Sequence, residues 1–125
     1  MSEQTARAVR TERAVELMSA AGFQDELRHA ARYCPRVPAG DPLAAIVKKI
    51  EQNPAFTQSR LLTRILTALT YQKGEFRRAE AAALDLDMLS TVIALMDACS
   101  AGTLAREDWI HAVDAANAAQ LAAGG

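Results

Sequence analysis

Residues 55–72 read AFTQSRLLTRILTALTYQ, and the spacing inside that stretch decides how the rest of the chain is read. Leu62, Ile65, Leu66 and Leu69 recur at intervals of three and four, with Phe56 and Leu61 alongside. That is the period of one face of an α-helix; a strand would send alternate residues to opposite sides. A helix is therefore expected from about Ala55 to Gln72, ended by Gly74. A second column runs through the same helix. Ser59, Thr63, Thr67 and Thr70 fall at i, i+4, i+8 and i+11, although threonine is an indifferent helix former. Two explanations fit. The column is either a half-buried seam, where small side chains let a neighbouring helix approach, or a flat docking face flanked by Arg60 and Arg64. As a docking face it would suit a protein partner or a homodimer contact.

Upstream, Leu43, Ile46, Val47 and Ile50 share one helical face. Asp41 is placed to cap that helix and Pro42 to occupy its first turn, where a missing N–H costs nothing. Asn53–Pro54 ends it. The loop PRVPAGDP, residues 35–42, separates it from a helix over about Gln24–Tyr33. There Phe23, Leu27, Ala30 or Ala31, and Cys34 keep the 3.6-residue period, and Pro35 halts the run. The first helix is expected from about Glu3 to Ala21, with Gly22 as its left-handed C-cap and residues 1–12 fraying.

Downstream, a short helical piece is expected over about Glu75–Leu84, with Phe76, Ala79 and Ala83 inward. Asp85 or Asp87 then caps a helix reaching Ser100. Its apolar residues Leu89, Val92, Ile93, Leu95, Met96 and Cys99 cover more than half the circumference, the pattern of a central helix. Gly102 closes it. A last helix runs from about Arg106 to Gln120, and residues 121–125 fray. No stretch of useful length alternates with period two. The fold class is all-α, one compact bundle of about five to seven short helices forming a single domain over 1–125.

Composition bounds the function. The 125 residues include 27 alanines, and arginine outnumbers lysine eleven to three. The bias resembles that of small helical proteins from GC-rich bacteria. No secretory h-region opens the sequence and no apolar run approaches the roughly 20 residues of a membrane span. A cytoplasmic protein without membrane contact is expected, with Cys34 and Cys99 as reduced core thiols. No phosphate-binding glycine loop, HExxH, CxxC or GxSxG is present. Hence no catalytic, cofactor-binding or metal-ligating residue is assigned, and no cofactor is expected.

Net charge is −1, unevenly spread. Residues 41–80 carry seven basic and four acidic groups; residues 81–125 carry one and six. Either the two regions pack together and cancel, or one faces a charged partner. Lys48, Lys49, Lys73, Arg77 and Arg78 are the candidate basic patch, joined by Arg60 and Arg64. Arg77 and Arg78 stand where the recognition helix of a helix-turn-helix would begin. The AEAAAL that follows has no side chain to read a base edge. Binding to another protein through a helix face is thus the expected function, and a nucleic-acid-binding module using segment 48–78 is the alternative.

One other cluster needs a reading. Residues 100–116, SAGTLAREDWIHAVDAA, hold the only tryptophan. Leu104 and Trp109 have the spacing of a hydrophobic staple, which makes Ala105 the N-cap and puts Glu107 and Asp108 at the positive end of the helix. Asp108, His111 and Asp114, like His29 with Asp25 and Glu26, pair along a helix at spacings common on solvated faces. They are read as structural. If Ala105 is the N-cap, Ala105→Ser supplies the missing side-chain acceptor. Thermal unfolding should then show a gain of about 0.5–1 kcal/mol; unchanged or lower stability would refute the assignment.

Overall fold

A computed structural model describes residues 17–32 and 40–124 of the chain. Strand β1 covers Leu17–Ser19 and leads directly into α1, Ala20–Ala31. Helices α2, Pro42–Gln52, and α3, Thr57–Tyr71, follow. Then come β2, Glu75–Arg77, and a 3-10 helix, Arg78–Ala83. Helices α4, Leu86–Ala101, and α5, Arg106–Gly124, complete the chain. The described residues form an all-α bundle, with one small antiparallel sheet pairing Leu17 with Arg77, Met18 with Phe76 and Ser19 with Glu75. None of the described helices is long and apolar enough to cross a membrane.

The bundle is organised around α3. Nine of its fifteen residues are buried, including Leu61, Leu62, Ile65, Leu66 and Leu69. It packs most closely on α5, and also meets α2, the 3-10 helix and α1. Helix α4, expected at the centre, packs chiefly on α2 and α1. Its wide apolar face is consistent with its burial at Leu89, Val92, Ile93, Leu95 and Met96. Helices α3 and α5 run antiparallel and are tied at both ends. Arg106 Nη1 donates to the Thr70 carbonyl at 2.8 Å, and Gln120 Nε2 to the Pro54 carbonyl at 2.6 Å.

Several local expectations match their physical causes. Asp41 Oδ1 accepts from the N–H groups of Leu43 and Ala44 at 3.1 and 3.2 Å, with Pro42 at the first turn. Asp85 Oδ1 caps α4 by accepting from Met88 N–H at 2.8 Å. Gly102 ends α4 at φ 64°, a left-handed conformation that glycine adopts without strain. The Ala105 carbonyl accepts from Asp108 and Trp109 N–H, as an N-cap carbonyl does. Leu43, Ile46 and Ile50 are buried on α2, and Trp109, Ala112, Val113 and Ala116 on α5.

Others are corrected. Gly22 does not end a helix; it lies in the first turn of α1, where its N–H donates to Ser19 Oγ at 3.1 Å. Residues 17–19 are extended because they pair with β2, and the helical phase restarts at Ala20, Phe23, Leu27 and Ala31. The helix expected before them, and Tyr33, Cys34 and Pro35, lie outside the described residues. Glu75–Arg77 is a strand rather than the start of a helix. Three residues are too few to reveal a period of two, so tertiary pairing makes the choice. Phe76 is buried as expected, Ala79 is exposed and Ala83 is half-buried. Phe56, placed beside the α3 stripe, is 59% exposed at the helix's N-cap. The left-handed residue closing α3 is Gln72, φ 56°, two residues before Gly74. Helix α5 extends to Gly124, past the expected end at Gln120.

Trp109 is 6% exposed and anchors α5 in the core. Trp109→Ala should therefore cost about 3–5 kcal/mol in chemical denaturation. A loss below about 1 kcal/mol would remove the ring from the core.

Candidate functional site

The Ser/Thr column is the first candidate surface, and it faces inward. Ser59 is 1% exposed, Thr63 7% and Thr70 5%; Thr67 is half-buried. Each threonine hydroxyl donates back along its own helix: Thr63 to the Ser59 carbonyl at 3.0 Å, Thr67 to Thr63 at 2.9 Å, Thr70 to Leu66 at 2.7 Å. This satisfies the hydroxyls without an outside partner and leaves a methyl to pack. Ser59 Oγ is buried with no hydrogen-bond partner among the described residues. Of the six residues expected to form a docking face, only Arg60 and Arg64 are exposed. The column is a packing seam of the central helix, the other of the two explanations its spacing allowed.

Arg64 is engaged. Its guanidinium pairs with Glu80, donates through Nη2 to the Glu75 carbonyl at 2.7 Å, and lies 4.9 Å from the centroid of Phe76. Phe76 in turn stacks on Phe23, with centroids 4.4 Å apart and planes 6° from parallel. Glu80 Oε1 also accepts from Arg77 N–H at 2.8 Å, at the start of the 3-10 helix. Arg64, Glu75, Phe76 and Glu80 line an open cleft of about 480 Å³ with Leu17 and Arg77. The cleft contains two arginines and two glutamates, so it has no net sign. Partial burial pushes the Glu80 carboxyl up, but the Arg64 hydrogen bond, the Arg77 N–H and both guanidinium charges outweigh it and hold the pKa below its ordinary value.

The candidate basic patch does not gather at one place. Lys48 and Lys49 lie in the last turns of α2, before the turn into α3; Lys73 and Arg77 lie beyond the far end of α3. Fifteen residues of helix, about 22 Å, stand between those two turns. Arg78 Nη1 pairs with Glu26 Oε2 at 3.0 Å. The cancelling charges thus come from α1 and the 3-10 helix, and Arg28 reaches the acidic C-terminal third through Asp97 at 2.9 Å. His29 is exposed beside Arg32, and Asp108, His111 and Asp114 are exposed on α5. Among the described residues no group of three or more ligand-type side chains could hold a metal. Cys99 is a free, half-buried thiol, its Sγ 3.8 Å from the Leu69 carbonyl.

A different surface emerges from the packing of α2, α4 and α5. Two depressions, about 370 and 390 Å³, adjoin one another and share Asp41 and Leu104 as lining. The first lies between α2 and α5, over Leu43, Ala44, Val47, Ala112 and Ala115, with Asp108 and His111 on its edge. The second continues toward α4, over Ala94 and Ala98, past Pro42 and Thr103. Together they form an open groove floored by alanine and aliphatic side chains. The sequence period does not announce it, because its residues are spread over three helices and the turns that precede them. By contrast, the exposed Phe56, Leu86 and Leu121 sit at helix ends, the kind of isolated surface apolar residue that needs no functional explanation.

No protein-family model matches the chain, and neither do curated proteins or solved structures.

The Arg64–Glu80 contact gives a pH signature. Because the folded pKa of Glu80 is lowered, its contribution to stability is present above the unfolded carboxylate value of 4.5 and is lost as pH falls through the folded one. Glu80→Gln should reduce stability by about 1 kcal/mol or less near neutral pH, since the pair is partly solvated. That difference should shrink as pH falls below 4.5 and through the lowered folded value. A pH-independent difference in denaturant midpoints would contradict the assignment.

Proposed function

We propose that the protein is a cytoplasmic docking protein, binding another protein along the groove between α2, α4 and α5. One observation carries this reading: a concave, alanine-floored surface lies open on three packed helices. Ala44, Ala94, Ala98, Ala112 and Ala115 line it, and short side chains let a partner's backbone come close. The expected mode remains the docking of a helix face, moved from the α3 column, whose hydroxyls are internal, to the α2–α5 side of the bundle. A groove of this kind takes the apolar stripe of an amphipathic helix at positions i, i+3 or i+4, and i+7. The basic middle of the chain gains no support as a nucleic-acid footprint. Its arginines Arg64 and Arg78 are paired with Glu80 and Glu26, and phosphate binding needs cations that converge.

Ala44 is exposed on the groove's edge, so a bulky uncharged ring there fills the groove while the fold tolerates it. Affinity capture from nuclease-treated lysate of the source cell should yield at least one protein with the wild type that falls tenfold or more with Ala44→Tyr. The same protein should be retained by Leu86→Ser, which changes a distant exposed residue. Equal capture by wild type and Ala44→Tyr, or material that nuclease removes, would overturn the reading.

A further inference from the structure

The groove has a sign as well as a shape. Among the described residues its charged lining consists of Asp41 and Asp108, with His111 beside them and no lysine or arginine. Asp41 uses Oδ1 to cap α2, and Asp108 has no ion-pair partner among the described residues. The helix N-termini of α2 and α5 each bring about half a positive charge, which offsets part but not all of two carboxylates. Glu107 adds to the negative side of the same helix turn. The basic residue nearest in sequence, Arg106, faces the other way: it donates to the Thr70 carbonyl, and its guanidinium lies 5.6 Å from the centroid of Tyr71.

From this charge complementarity, and resting on the docking reading above, we infer that the groove's occupant is a basic amphipathic helix of a partner protein. Its apolar stripe would lie on the alanine floor, and lysine or arginine at the stripe's margin would meet Asp108 and Asp41. Asp108 sets the preference for charge, because its carboxylate is exposed and has no ion-pair partner among the described residues. Shape provides the seat; the carboxylates select among helices that fit it.

The test uses the full chain and three synthetic 16-residue peptides. All share one leucine–alanine stripe at helical spacing, and their outward positions are filled by lysine, glutamine or glutamate. Affinities are read by fluorescence anisotropy at low and high salt. The lysine peptide should bind at least tenfold more tightly than the glutamate peptide at low salt, and the margin should narrow at high salt as charges are screened. Asp108→Asn should weaken the lysine peptide several-fold and leave the glutamine peptide unchanged. Ala44→Tyr should weaken both. Equal binding of all three peptides, still lost with Ala44→Tyr, would overturn the charge preference while leaving the docking groove standing. Lysine-peptide binding that neither substitution affects would place the contact elsewhere and overturn this inference. Failure of every peptide to bind would overturn the inference and the docking reading together.

Discussion

Helix α3 is enclosed on most of its circumference, and the rest of the structure follows from that enclosure. A helix surrounded by neighbours must satisfy every polar side chain it carries or leave it buried and unpaired, at a cost of about 1–3 kcal/mol each. The three threonines meet the requirement within the helix, by donating to carbonyls one turn back. Ser59 does not. Helix α5, the closest neighbour of α3, brings a buried face that is half alanine against the core. Each alanine contributes little burial, so the bundle gains from proximity and from tethering both ends of α5, with Trp109 as the one large anchor.

The opposite flank of α3 is closed by chain that returns along it. After Gln72 the backbone turns, pairs briefly with β1, winds through the 3-10 helix and reaches Asp85. There Gln58 and Asp85 bond reciprocally: Gln58 Nε2 donates to Asp85 Oδ2 at 3.2 Å, and Asp85 N–H to Gln58 Oε1 at 2.7 Å. Midway, Arg64 links α3 to Glu80 and covers the outer side of the stacked Phe76. This segment is held by polar and aromatic contacts where the other side is held by helix packing. Its ion pairs are exposed enough to add little stability singly; they fix the register of a stretch with few buried residues of its own.

Beyond those two flanks, further relief lies on the far side of α2 and α5, where α4 also arrives. Alanine lets helices pack tightly where they touch, and leaves shallow space where three of them splay apart. The cap of α2 and the first turn of α5 bring carboxylates to the same corner. Residues chosen to begin helices thereby give the groove its negative sign.

The helical class, Asp41 as a cap, Asp85 as one of two candidate caps, Gly102 as a stop and the inward faces of α2, α3 and α5 were legible in the sequence. Each depends on spacing or on a side chain within four residues of the backbone it serves, so local chemistry suffices. The strand at Glu75–Arg77 was not legible, because three residues carry no period and their partner lies some sixty residues earlier. Nor was the side to which the Ser/Thr column points: spacing groups those residues on one face, but only packing says what covers it. The acidic residues Asp41 and Asp108 were visible as helix-start charges, yet 67 residues separate them in the chain. Their meeting at one groove is a property of tertiary structure alone, since no local interaction relates the N-terminus of one helix to that of another.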